Sequence, residues 1–184
     1  MRQALTIHPD SHCEAVQGIA VELSRPSAAA LVLEFVVIGR IGDLRMPAAE
    51  TSERSDELWR HSCFEAFVRT SSGPSYHELN FAPSTRWAAY RFDGYRSGMV
   101  AALEIGPPAI EVRSDADCHR LRASVDLSGL PASELTGPWQ LGLSAVIEGK
   151  DGGKSYWAIA HPDGAPDFHH PGCFALQLAA AGRA

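Results

Sequence analysis

Apolar and polar residues alternate with a period of two through much of this chain, the mark of strands that bury one face. Residues 119–127 show it best: Leu121, Ala123, Val125 and Leu127 fall on one side and Arg120, Arg122, Ser124 and Asp126 on the other. Residues 15–23 repeat the pattern, with Gln17, Ile19, Val21 and Leu23 set against Val16, Gly18, Ala20 and Glu22. Residues 31–38, LVLEFVVI, are the most hydrophobic run; too short for a helix and rich in β-branched side chains, they predict a buried strand ended by Gly39. Further strands are expected at 3–7, 62–69, 75–81, 86–92, 109–113, 139–147, 155–160 and 172–178. The glycines of 148–153 predict a hairpin loop, 131–135 a single helical turn, 93–108 an irregular excursion, and 179–184 a frayed tail. Roughly ten strands without linker, repeat or low-complexity segment indicate an all-β sandwich or barrel.

The same alternation sorts chemistry onto faces in the block from 56 to 98. On the strand at 62–69, Phe64, Ala66 and Val68 form a core row, whereas Cys63, Glu65 and Phe67 share the other face, joined by Trp59 if the chain is already extended there. On the next strand, Tyr76, Glu78 and Asn80 oppose His77, Leu79 and Phe81. Carboxylates, an amide and aromatic rings on adjoining strands are the parts of a small polar ligand site. They are equally the parts of an exposed sheet face whose glutamates pair with Arg69, Arg86 or Arg91. The polar loop 42–57 is long for a compact domain and runs directly into Trp59, so it is expected to border the site. Trp87, Tyr90, Tyr95 and Trp157 are further aromatic candidates, although Trp87 and Tyr90 fall on opposite faces of one strand.

The pattern Leu58-Trp59-x5-Glu65, then Tyr76-His77-Glu78-Leu79-Asn80-Phe81-x-Pro83, then Trp87-Ala88-Ala89-Tyr90-x-Phe92-x2-Tyr95-Arg96-x-Gly98 resembles a bacterial DOMON-like domain, related to the family-9 carbohydrate-binding modules. Ser155-Tyr156-Trp157-Ala158 and Pro166-Asp167-Phe168-His169 continue the resemblance over most of the chain. It implies a two-layer antiparallel β-sandwich that binds a small ligand, a sugar in some relatives and haem in others. Trp59 and Glu65 match a Trp and a Glu of the sugar-binding relatives; Glu78 departs from them, standing where those modules tend to carry Arg. The expected ligand-binding set is Trp59, Glu65, Glu78, Asn80, Arg91 and Trp157, in a non-catalytic domain for a saccharide or similar polar molecule. The alternatives are a haem-binding electron-transfer module and an interaction domain without a small ligand.

Composition narrows this picture. At 184 residues and 45% hydrophobic content, the chain suits one core, and a single domain over 1–184 is expected. A net charge of −6 without a basic stripe argues against nucleic acid or an anionic membrane as partner. No apolar run reaches signal-peptide or membrane-spanning length, which predicts a soluble cytoplasmic protein. Cys13, Cys63, Cys118 and Cys173 form no C-x-x-C pair and are expected as free thiols. His161 and His169 lie in one loop with Asp163 and Asp167, where a metal would look for ligands, but no fixed spacing accompanies them; no metal and no cofactor is expected. Haem would need axial ligands, for which Met46 and His161 have the right order only. Glu65 and Glu78 are the one pair of carboxylates suited to a glycosidase, and no nucleophile, phosphate-loop or dinucleotide motif is present, so no enzyme is expected.

Overall fold

The computed structural model describes residues 1–70 and 73–180; of the tail expected at 179–184, residues 181–184 lie outside that range. The strands are β1 (Arg2–Ile7), β2 (Val16–Ser27), β3 (Ala30–Gly39), β4 (Cys63–Thr70), β5 (Tyr76–Phe81), β6 (Trp87–Phe92), β7 (Val100–Ala101), β8 (Ala109–Ser114), β9 (Cys118–Asp126), β10 (Trp139–Glu148), β11 (Lys154–Ala158) and β12 (Leu176–Leu178). All pair antiparallel in the continuous order β7-β6-β5-β4-β10-β11-β1-β2-β3-β9-β8, with β12 on β10. The strand β1 turns this ribbon into two layers. Its residues Gln3 and Leu5 pair with Val21 and Ile19 of β2, whereas Thr6 and Ile7 pair with Ala158 and Trp157 of β11. One short strand thus belongs to both sheets, and the chain folds over at that corner into an all-β sandwich.

Between the layers lies the core that the alternation predicts. Ile19, Val21 and Leu23 of β2, Leu31, Leu33 and Phe35 of β3, and Leu121, Ala123 and Val125 of β9 meet Phe64, Ala66 and Val68 of β4 and Leu141, Leu143 and Ala145 of β10. The rings of Phe35 and Phe64 touch across the gap, 5.1 Å between centroids. The outer face of the first layer is open to water: Ile38 is exposed, and Glu34, half-buried on β3, pairs with Arg120 and Arg122 of β9. The run 31–38 is the expected strand, with Leu31, Leu33, Phe35 and Val37 buried inward and its outer face, Val36 apart, partly open. The strand β2 is longer than its pattern predicts because it continues through Pro26 at a bulge, where a missing N–H is tolerated.

The second layer differs. In β4, β5 and β10 residues of both faces are buried. Its outer face carries a second apolar cluster, Phe67, Tyr76, Tyr90, Phe92, Val146, Phe168 and Phe174. The last two belong to the segment between β11 and β12, which lies across the sheet. That segment is where a strand was expected from 172; instead Pro171–Cys173 forms a 3-10 turn and only Leu176–Leu178 is extended. The expected hairpin at 148–153 and helical turn at 131–135 are both present, the latter as α1 (Ala132–Leu135), and the excursion at 93–108 contains the short edge strand β7.

Candidate functional site

The register of three strands assembles the polar centre. Glu65 of β4 lies opposite Asn80 of β5 on one side and Ser144 of β10 on the other, while Glu78 lies opposite Phe67 and Tyr90. All these side chains point to the outer face of the second layer. Because the segment carrying Phe168, His169 and Phe174 covers that face, Glu65, Glu78 and Asn80 are only 2%, 4% and 0% exposed. A cavity of about 440 Å3 remains between sheet and cover. Glu65 and Glu78 line it, with Trp59, Phe92, Tyr156 and Phe168 as flat walls, His169 and Arg96 at one side, and Arg60, Met99 and Lys154 towards solvent.

Trp59 reaches this cavity by a route other than the expected extended strand. Leu58–Arg60 is a 3-10 turn, entered through a left-handed Glu57 at φ 60°. The turn sets the Trp59 ring edge-on to Tyr90, with centroids 5.8 Å apart. The loop before it is pinned along the sheet: Ser55 N–H donates to the Trp87 carbonyl, Trp87 N–H to the Glu53 carbonyl, and the Tyr90 hydroxyl to Asp56 Oδ1 at 2.7 Å. The final residues of 42–57 therefore stand beside the site.

Each buried glutamate spends one oxygen on the protein. Ser144 Oγ donates to Glu65 Oε2 at 2.9 Å, and Asn80 Nδ2 donates to Glu78 Oε1 at 2.7 Å. None of the arginines expected as partners reaches them. Arg69 binds Gln140 and stacks on Phe174; Arg86 pairs with Glu50 and Glu53; Arg91 sits opposite His77, on the other face of β5 and β6, and is exposed. Arg91 is thus removed from the cavity by the pleat itself. The nearby cation is Arg96, held at φ 50° with its guanidinium on Asp167 Oδ1 at 2.8 Å. Burial raises both carboxyl pKa values, Glu65 to about 8, with the Glu78 charge adding to the rise, and Glu78 to about 7; Arg96 offsets part of this. Near neutral pH the pair retains a proton.

A hydrogen-bonded chain fixes the third polar wall. The Arg96 N–H donates to Tyr76 Oη at 3.3 Å, and Tyr76 Oη lies 2.8 Å from His169 Nδ1. Burial, aided by the Arg96 charge, lowers the His169 pKa to about 4, so the imidazole is neutral. Tyr76 Oη and His169 Nδ1 share one proton between them, and the other ring nitrogen, Nε2, lies 3.8 Å from Glu78 Oε2. Asp167 anchors the segment. Burial opposes its ionisation, but hydrogen bonds from Tyr95, Arg96 and the His169 N–H hold its carboxyl below the ordinary range.

Of the residues singled out in the sequence, Trp59, Glu65, Glu78 and Asn80 are brought together, whereas Arg91 and Trp157 are not. Trp157 faces the inner core opposite Ala145, with its indole N–H on Ser155 Oγ at 2.9 Å; its neighbour Tyr156 is the one that lines the cavity. The hairpin register could have shown this, since Tyr156 pairs with Val146, two residues from the Ser144 that binds Glu65. Arg96 and Phe168 stand inside the pattern quoted for the resemblance but outside the expected ligand-binding set; both reach the cavity from loops, whose course the strand alternation does not give. Trp87 is buried in the inner core under the Arg54 guanidinium, and Tyr95 is exposed. His161 gives its Nε2 proton to the Thr6 carbonyl at 2.8 Å and lines a different cleft from His169 and from Met46, which packs against the inner core. Among the described residues no group of three or more His, Cys, Asp or Glu side chains is placed to hold a metal ion.

No family model and no curated protein matches this sequence. Solved structures do. A candidate carbohydrate-binding protein from Bacteroides uniformis superposes with a TM-score of 0.66 at 13% identity, covering 94% of this chain and 83% of that one. A family-9 carbohydrate-binding module from Caldicellulosiruptor kristjanssonii, solved with cellotriose, gives 0.53 at 13% identity, covering 89% and 74%. The glucose complex of a family-9 module from the same organism gives 0.50 at 13% identity. The two-layer sandwich of this chain is therefore similar in fold to the family-9 carbohydrate-binding modules.

Proposed function

We propose that this chain is a non-catalytic binding domain of the DOMON-like kind, taking a saccharide or similar small polar molecule in the cavity over β4, β5 and β10. The observation that carries this is the cavity itself. It is walled by rings, open to solvent on one side, and floored by two buried carboxyls that each give one oxygen to a protein hydrogen bond. Its volume of about 440 Å3 suits a small ligand. Trp59 and Tyr156 offer flat apolar contact, while Glu65, Glu78 and the His169 imidazole fix orientation. The fold neighbours solved with cellotriose and glucose support a sugar as the ligand class.

Isothermal titration and thermal shift against glucose, xylose, cellobiose and cellotriose test the reading. At least one of these sugars raises the unfolding temperature of the native chain, as a ligand of the folded state must. The Trp59→Ala variant loses that shift while retaining its circular dichroism. A folded protein that none of the panel stabilises, or a shift indifferent to Trp59→Ala, would count against this site.

A further inference from the structure

Resting on that reading, we propose that the preferred ligand carries an amino group, and that its ammonium seats between the free oxygens of Glu65 and Glu78. The domain would then select amino sugars over neutral ones.

The geometry poses the question that this answers. Two carboxyls lie side by side on one face of the sheet, diagonal across the β4–β5 register and both nearly inaccessible. One oxygen of each is bound, to Ser144 and to Asn80. No hydrogen bond from a described residue reaches Glu65 Oε1, and the approach to Glu78 Oε2 is His169 Nε2 at 3.8 Å. Buried acids are normally matched by a cation in contact, and none of the described residues supplies one. Arg96 is committed: its Nε and Nη2 both donate to Asp167. Arg60 pairs with Glu57 at 2.7 Å and, like Lys154, is exposed at the mouth, where water screens it.

A diol can satisfy the two free oxygens with hydrogen bonds but leaves the charge problem untouched. An ammonium satisfies both and compensates the charge, with charge-assisted bonds that are stronger than neutral ones. The walls favour the same choice. Trp59, Tyr156, Phe92 and Phe168 line the cavity, and aromatic faces attract a desolvated cation.

Titration calorimetry of the full chain with glucosamine, glucose and N-acetylglucosamine decides it. Glucosamine binds at least about tenfold tighter than glucose, a difference of ~1.4 kcal/mol. N-acetylglucosamine, whose nitrogen is uncharged, gains nothing over glucose. Glu78→Gln keeps the acceptor for Asn80 and brings glucosamine down to the level of glucose; Glu65→Gln, which keeps the acceptor for Ser144, does the same and serves if the first variant fails to fold. Repeating the titration in two buffers of different ionisation enthalpy shows proton release for glucosamine and none for glucose. Glucose binding as tightly as glucosamine would overturn the ammonium seat and leave the saccharide reading standing. Binding of none of the three would overturn both.

Discussion

Replacing Glu65 by Gln should change how stability depends on pH more than it changes stability itself. Glu65 and Glu78 rise from 4.5 to about 8 and about 7 in the folded chain. Between those values the folded state binds more protons than the unfolded one. The stability they contribute is complete below pH 4.5 and is lost as pH climbs through 7 and 8. His119 and His169 run the other way. Burial lowers both from 6.5 to about 4, so their contribution is present above pH 6.5 and lost as pH falls through 4; His77 is lowered in the same sense. From pH 6.5 to 8 the folded histidines are neutral and the unfolded ones lose their remaining protons identically in wild type and variant, so the difference between the two curves isolates the carboxyl pair. The ionisable groups facing it there are Arg96, His169, Tyr76, Tyr90 and Cys63. One proton released over one pH unit corresponds to ~1.4 kcal/mol, so the interval costs the wild type roughly 1 to 2 kcal/mol. For a chain of this length that lowers Tm by roughly 3–6 °C. In Glu65→Gln the amide oxygen still accepts from Ser144 and the higher-titrating of the two groups is gone, so the slope falls by about half or more. Circular-dichroism melts at constant ionic strength, at half-unit steps from pH 5 to 8, measure it. Parallel Tm curves for variant and wild type above pH 6.5 would refute the assignment of the buried proton to this pair. So would a Glu65→Gln penalty that is large and equal at every pH, which would make the residue a structural acceptor.

Three other perturbations probe what holds the site. A methyl at Gly142 would lie 3.1 Å from the Cys173 carbonyl and 3.4 Å from Phe67 Cβ, so Gly142→Ala should push the covering segment outward, cost roughly 1–3 kcal/mol, and weaken ligand binding in the same thermal-shift assay. Arg54 donates to the carbonyls of Ala89, Ala102 and Ile105 while stacking on Trp87 at 4.2 Å; Arg54→Met should lower the urea midpoint by an amount equivalent to roughly 2–3 kcal/mol at unchanged slope. Thiol titration with an aromatic disulfide at pH 8 should show Cys13 and Cys118 reacting in the native protein and Cys63 and Cys173 only after unfolding, since burial holds the latter two well up the scale.

What was legible in the sequence is what depends on neighbours two residues away. Period-two alternation places Phe64, Ala66 and Val68 inward and Glu65 and Phe67 outward without knowledge of the fold, and the same rule on β5 puts Glu78 and Asn80 beside them. What was not legible depends on register between distant strands or on loops that return from elsewhere. Arg91 looked like a partner for the glutamates because it lies on the next strand, yet one residue of register decides the face, and it falls with His77. Tyr156 and Trp157 differ by one position for the same reason. Arg96 owes its place to a left-handed backbone, and Phe168 and His169 to a segment whose course over the sheet is set by Asp167, itself bound from Tyr95 and Arg96. Trp59 was found through its spacing to Glu65, although the local structure there is a 3-10 turn where an extended strand was expected.

The covering segment also changes the meaning of the acids beneath it. On the first layer, Glu34 faces water between Arg120 and Arg122, and such a charge needs no explanation. On the second layer the same kind of outward position is roofed by Phe168 and Phe174, and an apolar side chain there would extend the existing cluster of Phe67, Val146 and Phe92. Replacing buried charge with well-packed hydrophobic groups is commonly neutral or stabilising, so Glu65, Glu78 and Asn80 hold these positions at a cost to the fold. Local rules of burial are broken chiefly at functional sites. Other polar side chains are buried elsewhere, His119 in the inner core and Glu148 at the end of β10 among them, but Glu65 and Glu78 are the buried acids that line the cavity. That coincidence of a stability cost with a ring-walled cavity separates this face from an ordinary polar sheet surface.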